Sequence, residues 1–380
     1  MPRLVFVFFL FFLLIICSVS GQKSDTMIFS GQASAWLNYN ADNDLQLWTG
    51  ARYIPQLNFE RSKGESMFDF EFSANINGTL GIRPFDSLVT DGTIKPYRAW
   101  LRYSDEQMEI RLGLQKIDFG SAAMLRPLMW FDRLDPRDPL QLTDGVWGLL
   151  GRYYWLNNTN LWLWVLYPSD KPKTWEYWKS NQHFPELGGR IQFPVTKGEM
   201  GFSYHWRMSD SRENIYNLSE LAEIPENRIG IDGKWDMLVG LWFEGVLIHQ
   251  GKPMEEFTNQ TLLNAGTDYT FNLGSGLNVI FEQIVFSSDD KAFQFSNTIP
   301  FTGVSLSYPL SIFDNLNAIV YYDWKNRNSY NYISFRRQYN KFALHLMAYW
   351  NPVVYQLPNQ QNTGAMFAGK GIQFMLVYDH

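Results

Sequence analysis

The sequence has 380 residues, and its 32 lysine and arginine residues against 38 aspartate and glutamate residues give a formal net charge of −6 at pH 7, which argues against nucleic acid as a partner. Charged residues make up only 18% and aromatic residues 17%, yet the mean hydropathy is −0.24, so apolar residues are diluted by polar ones along the chain. The single cysteine, Cys17, lies in the amino-terminal apolar segment, which excludes disulfides and a cysteine nucleophile from the rest of the chain.

The chain begins with the pattern of a secretory signal peptide. Arg3 precedes an unbroken apolar run from Leu4 to Ile16, and small residues follow up to Gly21. The run is too short for a spanning helix, which needs roughly 20 residues. We predict a signal peptide over residues 1–21 and one domain over residues 22–380. Lipoprotein processing at Cys17 is the alternative, but the residue before such a cysteine is normally small.

Alternation of apolar and polar residues with a period of two runs through the rest of the chain. It is clearest from Met67 to Asn77, where Phe68 and Phe70 alternate with Asp69 and Glu71. About 18 such segments follow one another, an even number as bacterial barrels require. The pattern predicts an all-β fold, a transmembrane antiparallel β-barrel of about 18 strands, although one misjudged hairpin would make the number 16 or 20.

Connection lengths assign the two ends of the predicted barrel. Short connections such as 104–107 and 236–238 mostly alternate with long ones such as 118–145, 168–189 and 351–370. Outer-membrane barrels have short periplasmic turns and longer outer loops, so both chain ends are predicted to lie in the periplasm of a Gram-negative bacterium.

Aromatic residues cluster around one short turn, 157–160. Tyr153, Tyr154 and Trp155 precede it, and Trp162 and Trp164 follow it. Because aromatic side chains concentrate at the membrane interface, we predict that all of these residues belong to an interfacial girdle.

Charged residues fall on the predicted inward face of the amino-terminal strands. Such residues are tolerated in a barrel wall if the lumen is wet or if they pair with one another. Acids and bases are interleaved on neighbouring strands, so two interpretations stay open: a basic ladder that faces solutes, and a structural network that neutralises itself. The predicted pore-lining residues are Arg52, Asp69, Glu71, Arg98, Arg102, Glu109, Arg111 and Gln115.

The long connection from Asp118 to Gly145 is the most distinctive segment. Its prolines forbid a regular strand, and it is the third outer loop by the predicted count. In porins the third outer loop folds into the barrel, so we predict a constriction loop whose acids face Arg98, Arg102 and Arg111. An external loop with local ion pairs is the alternative. The predicted constriction residues are Arg126, Asp132, Arg133, Asp135, Arg137 and Asp138.

Two motifs in this region resemble a known group of proteins. The run R-L-G-L-Q-K-I-D-F-G at 111–120 and D-P-R-D-P at 135–139 resemble elements of uncharacterised outer-membrane porin-like families, and are distantly similar to alginate-export barrels. The resemblance covers roughly residues 97–154. It implies a structural role for Gly113 and Gly120 and a pore-wall role for Arg111 and Gln115, and it assigns no substrate.

The last predicted strand starts at Gly371 and ends at Tyr378. A glycine is followed by apolar residues at every second position, and the segment ends in an aromatic residue. This resembles the signal by which the barrel assembly machinery recognises its clients. Asp379 and His380 extend past the usual terminal aromatic residue.

These features favour a porin-like channel for passive diffusion of small hydrophilic solutes or ions across an outer membrane. The alternatives are a conduit that exports a polysaccharide or anionic polymer, and a non-conducting scaffold. Outer-membrane lipid is an expected partner and a homo-oligomer is an open alternative. Neither an enzyme nor a cofactor nor a metal is expected, because the histidines lack metal-ligand spacing and catalytic neighbours. They are His183, His205, His249, His345 and His380.

Overall fold

The computed structural model describes residues 25–83, 87–132, 138–212, 221–353 and 366–380. The predicted signal peptide therefore lies outside the described residues, as do Arg133, Asp135 and Arg137 of the predicted constriction. Within the described ranges the chain forms one antiparallel sheet that closes on itself, because β1 (Thr26–Asn40) pairs with β2 (Leu47–Lys63) on one side and with β19 (Lys370–Asp379) on the other.

The remaining strands follow in chain order, and all except β8 pair with the preceding and following strands of the wall. They are β3 (Ser66–Arg83), β4 (Ser87–Ser104), β5 (Met108–Gln115), β6 (Val146–Tyr154), β7 (Asn160–Leu166), β8 (Lys179–Ser180), β9 (Glu186–Val195), β10 (Gly198–Asp210), β11 (Ile224–Asp236), β12 (Gly240–Gln250), β13 (Asn259–Phe271), β14 (Leu277–Asp289), β15 (Thr298–Pro309), β16 (Asp314–Asp323), β17 (Asn328–Gln338) and β18 (Phe342–Trp350).

The wall of the barrel contains 18 of these strands. The short β8 is not part of the wall, since it pairs only with Ser209 and Asp210 at the far end of β10. Elsewhere β7 pairs directly with β9, which closes the wall past β8. The predicted number of about 18 strands is thereby confirmed.

The wall has an apolar outer face and a largely polar inner face. On β1, Leu37 and Tyr39 point outward and are exposed, whereas Ser34 and Asn38 point inward and are buried. Exposed leucine and tyrosine would be unfavourable in water but suit contact with lipid, which is the alternation that a membrane barrel needs. In the described part of the chain, no helix is both long and apolar enough to cross a membrane.

The girdle prediction is wrong for two residues. Trp164 is buried and Trp162 packs against the buried cluster inside the barrel. Both positions alternate with Leu163 and Val165, which are exposed on the outer face, so the period of two turns the tryptophans inward. Tyr153 and Trp155, before the turn, are exposed and share the outward positions of the alternation with Leu149.

Most of the short connections and both described chain ends lie at one end of the barrel, which we call the turn end. The longest connections lie at the other end, which we call the loop end. Six residues of β4, from Ala99 to Ser104, pair with β5. The pairing stops there because the chain leaves the wall after Gln115 and returns to it at Val146. The residues between these points, 116–145, form the inserted loop.

The glycine at 113 is required for β4 and β5 to approach each other. Gly113 has a φ of +123°, and a Cβ there would lie 2.1 Å from the carbonyl oxygen of Ala99. This supports the structural role that the motif implies for it.

Replacing Gly113 with alanine is therefore expected to destabilise the barrel, by about 1–3 kcal/mol from the backbone conformation alone and by more from the contact with Ala99. The measurement is the temperature at which the folded band on a denaturing gel converts to the unfolded band. Gly151→Ala on the neighbouring β6 is the matched control, because nothing lies within 4 Å of a Cβ at that position. Equal transition temperatures for the two variants would contradict this explanation.

Candidate functional site in the barrel lumen

The inserted loop folds into the barrel and packs against β6 and β7. Phe119, Leu128, Trp130 and Phe131 of the loop are all buried. The ring of Phe119 stacks on Trp164 of β7 with the ring centroids 5.7 Å apart. An apolar cluster of this kind forms only where water is excluded, so the described part of the loop lies inside the lumen and the external-loop alternative is wrong for it.

The same loop is bonded to the opposite wall by two buried carboxylates. Glu244 of β12 accepts backbone N–H groups from Ala122 at 2.7 Å and Leu128 at 3.0 Å. Glu282 of β14 accepts three more, and the tryptophan of β12 at position 242 also donates to it. The three donors are Ala123 at 2.6 Å, Met124 at 3.1 Å and Leu125 at 2.6 Å. The loop therefore spans the lumen from β7 to β14.

The connection between β7 and β9 packs against the inserted loop. Its Trp175 donates from Nε1 to the carbonyl oxygen of Arg126, at 2.8 Å. Glu176 of the same connection is buried and accepts from Arg228 at 2.7 Å and from Arg207 at 3.1 Å, on β11 and β10. Buried charges are stable only when they are paired in this way. These ion pairs hold the connection between β7 and β9 on the wall. Because this connection packs against the inserted loop, they also hold the loop.

A group of charged side chains lines the inner face of β3 to β6. We call it the wall cluster, and it consists of Asp69, Arg102, Glu109, Arg111 and Arg152. Arg102 donates two hydrogen bonds to Asp69, at 2.9 and 2.8 Å. Glu109 is shared by three guanidinium groups, at 3.0 Å from Arg111, 3.3 Å from Arg152 and 3.6 Å from Arg102. Three cations against two carboxylates leave one net positive charge.

The side chains of the wall cluster remain partly exposed, between 11% and 24% of their surface. Their arginines also lie over aromatic rings, with Arg111 4.7 Å from the ring of Trp100 and Arg152 3.8 Å from the ring of Trp162. Such contacts fix the position of a guanidinium group without removing its charge. The wall cluster thus presents charge at fixed positions on the inner face of the barrel.

Two predicted pore-lining residues have contacts with the backbone rather than with other charges. Arg98 is buried and donates to the carbonyl oxygen of Thr143 at 3.2 Å and also to the hydroxyl of that residue. Gln115 donates to the carbonyl oxygens of Arg111, at 3.2 Å, and Gly148, at 3.0 Å. These side chains lie where the inserted loop leaves and rejoins the wall, and they stabilise both points.

The last two predicted pore-lining residues lie on the same inner face as the wall cluster. Glu71 is close to it, and Arg52 lies opposite a position of β3 that is eight residues beyond Asp69. Glu71 of β3 accepts a hydrogen bond from Ser73 at 3.2 Å. Arg52 of β2 is paired with Ser34 of β1 in the sheet and so lies on the same inner face. The roles of all eight predicted residues in solute passage stay predictions.

The ion pairs of Asp118 and the backbone hydrogen bonds of Asp138 lie within the inserted loop and do not join it to Arg98, Arg102 or Arg111 of the wall; residues 133–137 lie outside the described ranges. Arg126 binds Asp118 within the loop at 2.5 Å, and Asp138 accepts backbone N–H groups from Leu140 and Leu142. Burial alone would raise the pKa of Asp118, but the charges of Arg126 and of a nearby lysine outweigh burial and hold that pKa below its ordinary value. Asp132 is buried, and its carbonyl oxygen accepts a hydrogen bond from Thr174 in the connection between β7 and β9. The expected pairing of loop acids with Arg98, Arg102 and Arg111 is therefore wrong for the described residues.

Sequence reasoning missed three functional candidates, Arg152, Glu244 and Glu282. Each is a charged residue inside a strand, and each follows an outward position; Phe281, for instance, is exposed on the outer face. A charged residue at such a position must point into the lumen. That signal was present in the sequence. Among the described residues, no group of three or more histidine, cysteine, aspartate or glutamate side chains is placed to hold a metal ion.

The closed wall and the loop inside it define a porin-like β-barrel, and the comparison with solved structures agrees. An anion-selective porin from Comamonas acidovorans has 9% sequence identity and a TM-score of 0.50, over 94% of this chain and 100% of that chain. An engineered variant of a porin from Rh. blastica has 10% identity and a TM-score of 0.46, over 93% and 100% of the two chains. No family model and no curated protein matches the sequence. At 9% identity the likeness to the porin from Comamonas acidovorans shows the fold alone.

Proposed function

We propose that this protein is a non-enzymatic, porin-like channel of a Gram-negative outer membrane, through which small hydrophilic solutes or ions diffuse passively. The observation that supports the proposal is the partial exposure of the wall cluster on the inner face of a closed wall. Charged side chains keep such exposure inside a barrel only where water reaches them. Outer-membrane lipid would then surround the apolar outer face.

Uptake of neutral sugars into liposomes tests this proposal. Proteoliposomes that contain the folded barrel are expected to swell in small sugars and to exclude larger ones, because the inserted loop occupies part of the lumen. Liposomes with the heat-unfolded protein are the control. If the folded barrel admits no sugar of any size and no ion, the proposal is wrong.

A non-conducting scaffold is the second candidate, and one observation favours it. The apolar cluster around the inserted loop includes residues from β6 and β7 and, on the far side, Phe301, Tyr321, Tyr330 and Tyr349. Apolar packing across so much of the lumen is what a plugged barrel would have. Swelling that appears only after the inserted loop is shortened would support this candidate. Export of a polysaccharide or anionic polymer stays a prediction from the resemblance.

We also propose removal of residues 1–21 and assembly of residues 22–380 as one barrel domain through its last strand. In support, β19 closes the barrel against β1, and its Phe374 and Leu376 are exposed on the outer face. An assembly factor that recognises the last strand would therefore bind β19, whose pairing with β1 closes the barrel. A homo-oligomer remains open.

A further inference from the structure

We infer that Glu244 and Glu282 are positioning residues that keep the inserted loop across the lumen and so set the width of the channel. The effect on channel width rests on the proposed channel function. The position of the loop across the lumen does not depend on conduction. We call the two carboxylates together with the loop amides that they bind the clamp. Both glutamates are almost completely buried, with 1% and 0% of their surfaces exposed.

The clamp concentrates hydrogen bonds to charge in one short segment. The two carboxylates accept five backbone N–H groups from residues 122–128. In addition, Asn264 of β13 donates to the carbonyl oxygen of Leu125 at 2.5 Å. Each of the loop N–H groups has its carboxylate acceptor only while the loop stays on the far wall, and a buried N–H group without an acceptor is costly.

The rest of the inserted loop is attached differently. On the β6 and β7 side the contacts are apolar, and at the return to the wall Gly145 has a φ of +76° and lies beside Arg98. Gly120, where the clamp begins, has a φ of +100°, and a Cβ there would lie 2.4 Å from a carboxylate oxygen of Glu244. The backbone is therefore shaped to meet the carboxylates, whereas apolar contacts alone are not directional.

Loss of the clamp should let residues 122–128 leave the far wall. Replacing a carboxylate with an amide puts an N–H₂ group where one of the loop N–H groups needs an acceptor. Because a buried N–H group that loses its acceptor costs about 1–3 kcal/mol, each replacement should raise the population of the released loop on the order of tenfold. A released loop would widen the lumen.

Labelling of an introduced cysteine measures release independently of conduction. Cys17 is the only cysteine in the sequence and belongs to the predicted signal peptide, so A122C would be the only thiol of the processed chain. Ala122 is buried against the clamp, and labelling by a membrane-impermeant maleimide should be slow. In the A122C background, Glu244→Gln and Glu282→Gln should each accelerate labelling on the order of tenfold.

Glu199→Gln is the matched control, since Glu199 points into the lumen from β10 but binds Gln192 instead of the loop. Faster labelling in both clamp variants but not in this control supports the inference, and it does so even if no variant conducts, in which case only the channel proposal fails. Unchanged labelling in folded clamp variants overturns the inference. If a glutamine variant does not fold, Glu282→Asp keeps the charge but withdraws the acceptor, and unchanged labelling there would overturn it equally.

Discussion

Replacing residues 121–131 with a short glycine and serine linker is expected to raise single-channel conductance at least about twofold, because a barrel of this strand number encloses an aqueous channel once nothing fills it. The replaced segment carries the loop amides of the clamp and the buried aromatic residues Trp130 and Phe131. The strands of the wall are untouched by the change. The measurement is the current through single barrels in planar lipid bilayers.

The control is the same kind of replacement at residues 291–294, which are exposed in the connection between β14 and β15. That variant should conduct like the parent protein. If the shortened inserted loop leaves the conductance of an assembled barrel unchanged, then the loop does not lie in the path of the current, and the constriction hypothesis fails.

Removing either sign of charge from the wall cluster is expected to change ion preference in opposite directions. Changing Arg102, Arg111 and Arg152 to glutamine removes three cations and should favour cations in the lumen. Changing Asp69 and Glu109 to asparagine and glutamine leaves the arginines unpaired and should favour anions. Charge lining a narrow aqueous path changes local ion concentrations by roughly tenfold or more, so a shift of that order in the permeability ratio is expected.

The reversal potential in a salt gradient measures this ratio. Lys291→Gln, in an exposed outer connection, is the control and should leave the potential unchanged. Shifts in the same direction for both cluster variants would mean that the wall cluster acts through structure, as the self-neutralised network would. Arg98 is left intact in these variants because it holds the end of the inserted loop.

The strands were predictable because their signal is local. Each alternation, as from Met67 to Asn77, reports the environment of its own two faces, so the wall and its 18 strands followed without knowledge of the partners. The position of the inserted loop followed from the count of connections. The contacts that hold it did not, since they join residues more than a hundred positions apart, such as Ala122 and Glu244.

Errors arose where several partners were available to one charged group. Arg102 and Arg111 were expected to face acids of the loop, but Asp69 and Glu109 lie on the same inner face of adjacent strands, and they are the nearer partners. Trp164 was placed at the interface by residue type, although its position in the alternation turns it inward. In both cases the strand register was more informative than composition.

The most direct test of the central claim is the single-channel current of the unmodified barrel in planar bilayers that contain a simple salt. A wet lumen beside the wall cluster predicts discrete current steps, with a modest preference for anions because the cluster carries three arginines against two acids. Repeated insertion of folded barrels without any current step would contradict the claim that this protein is a channel.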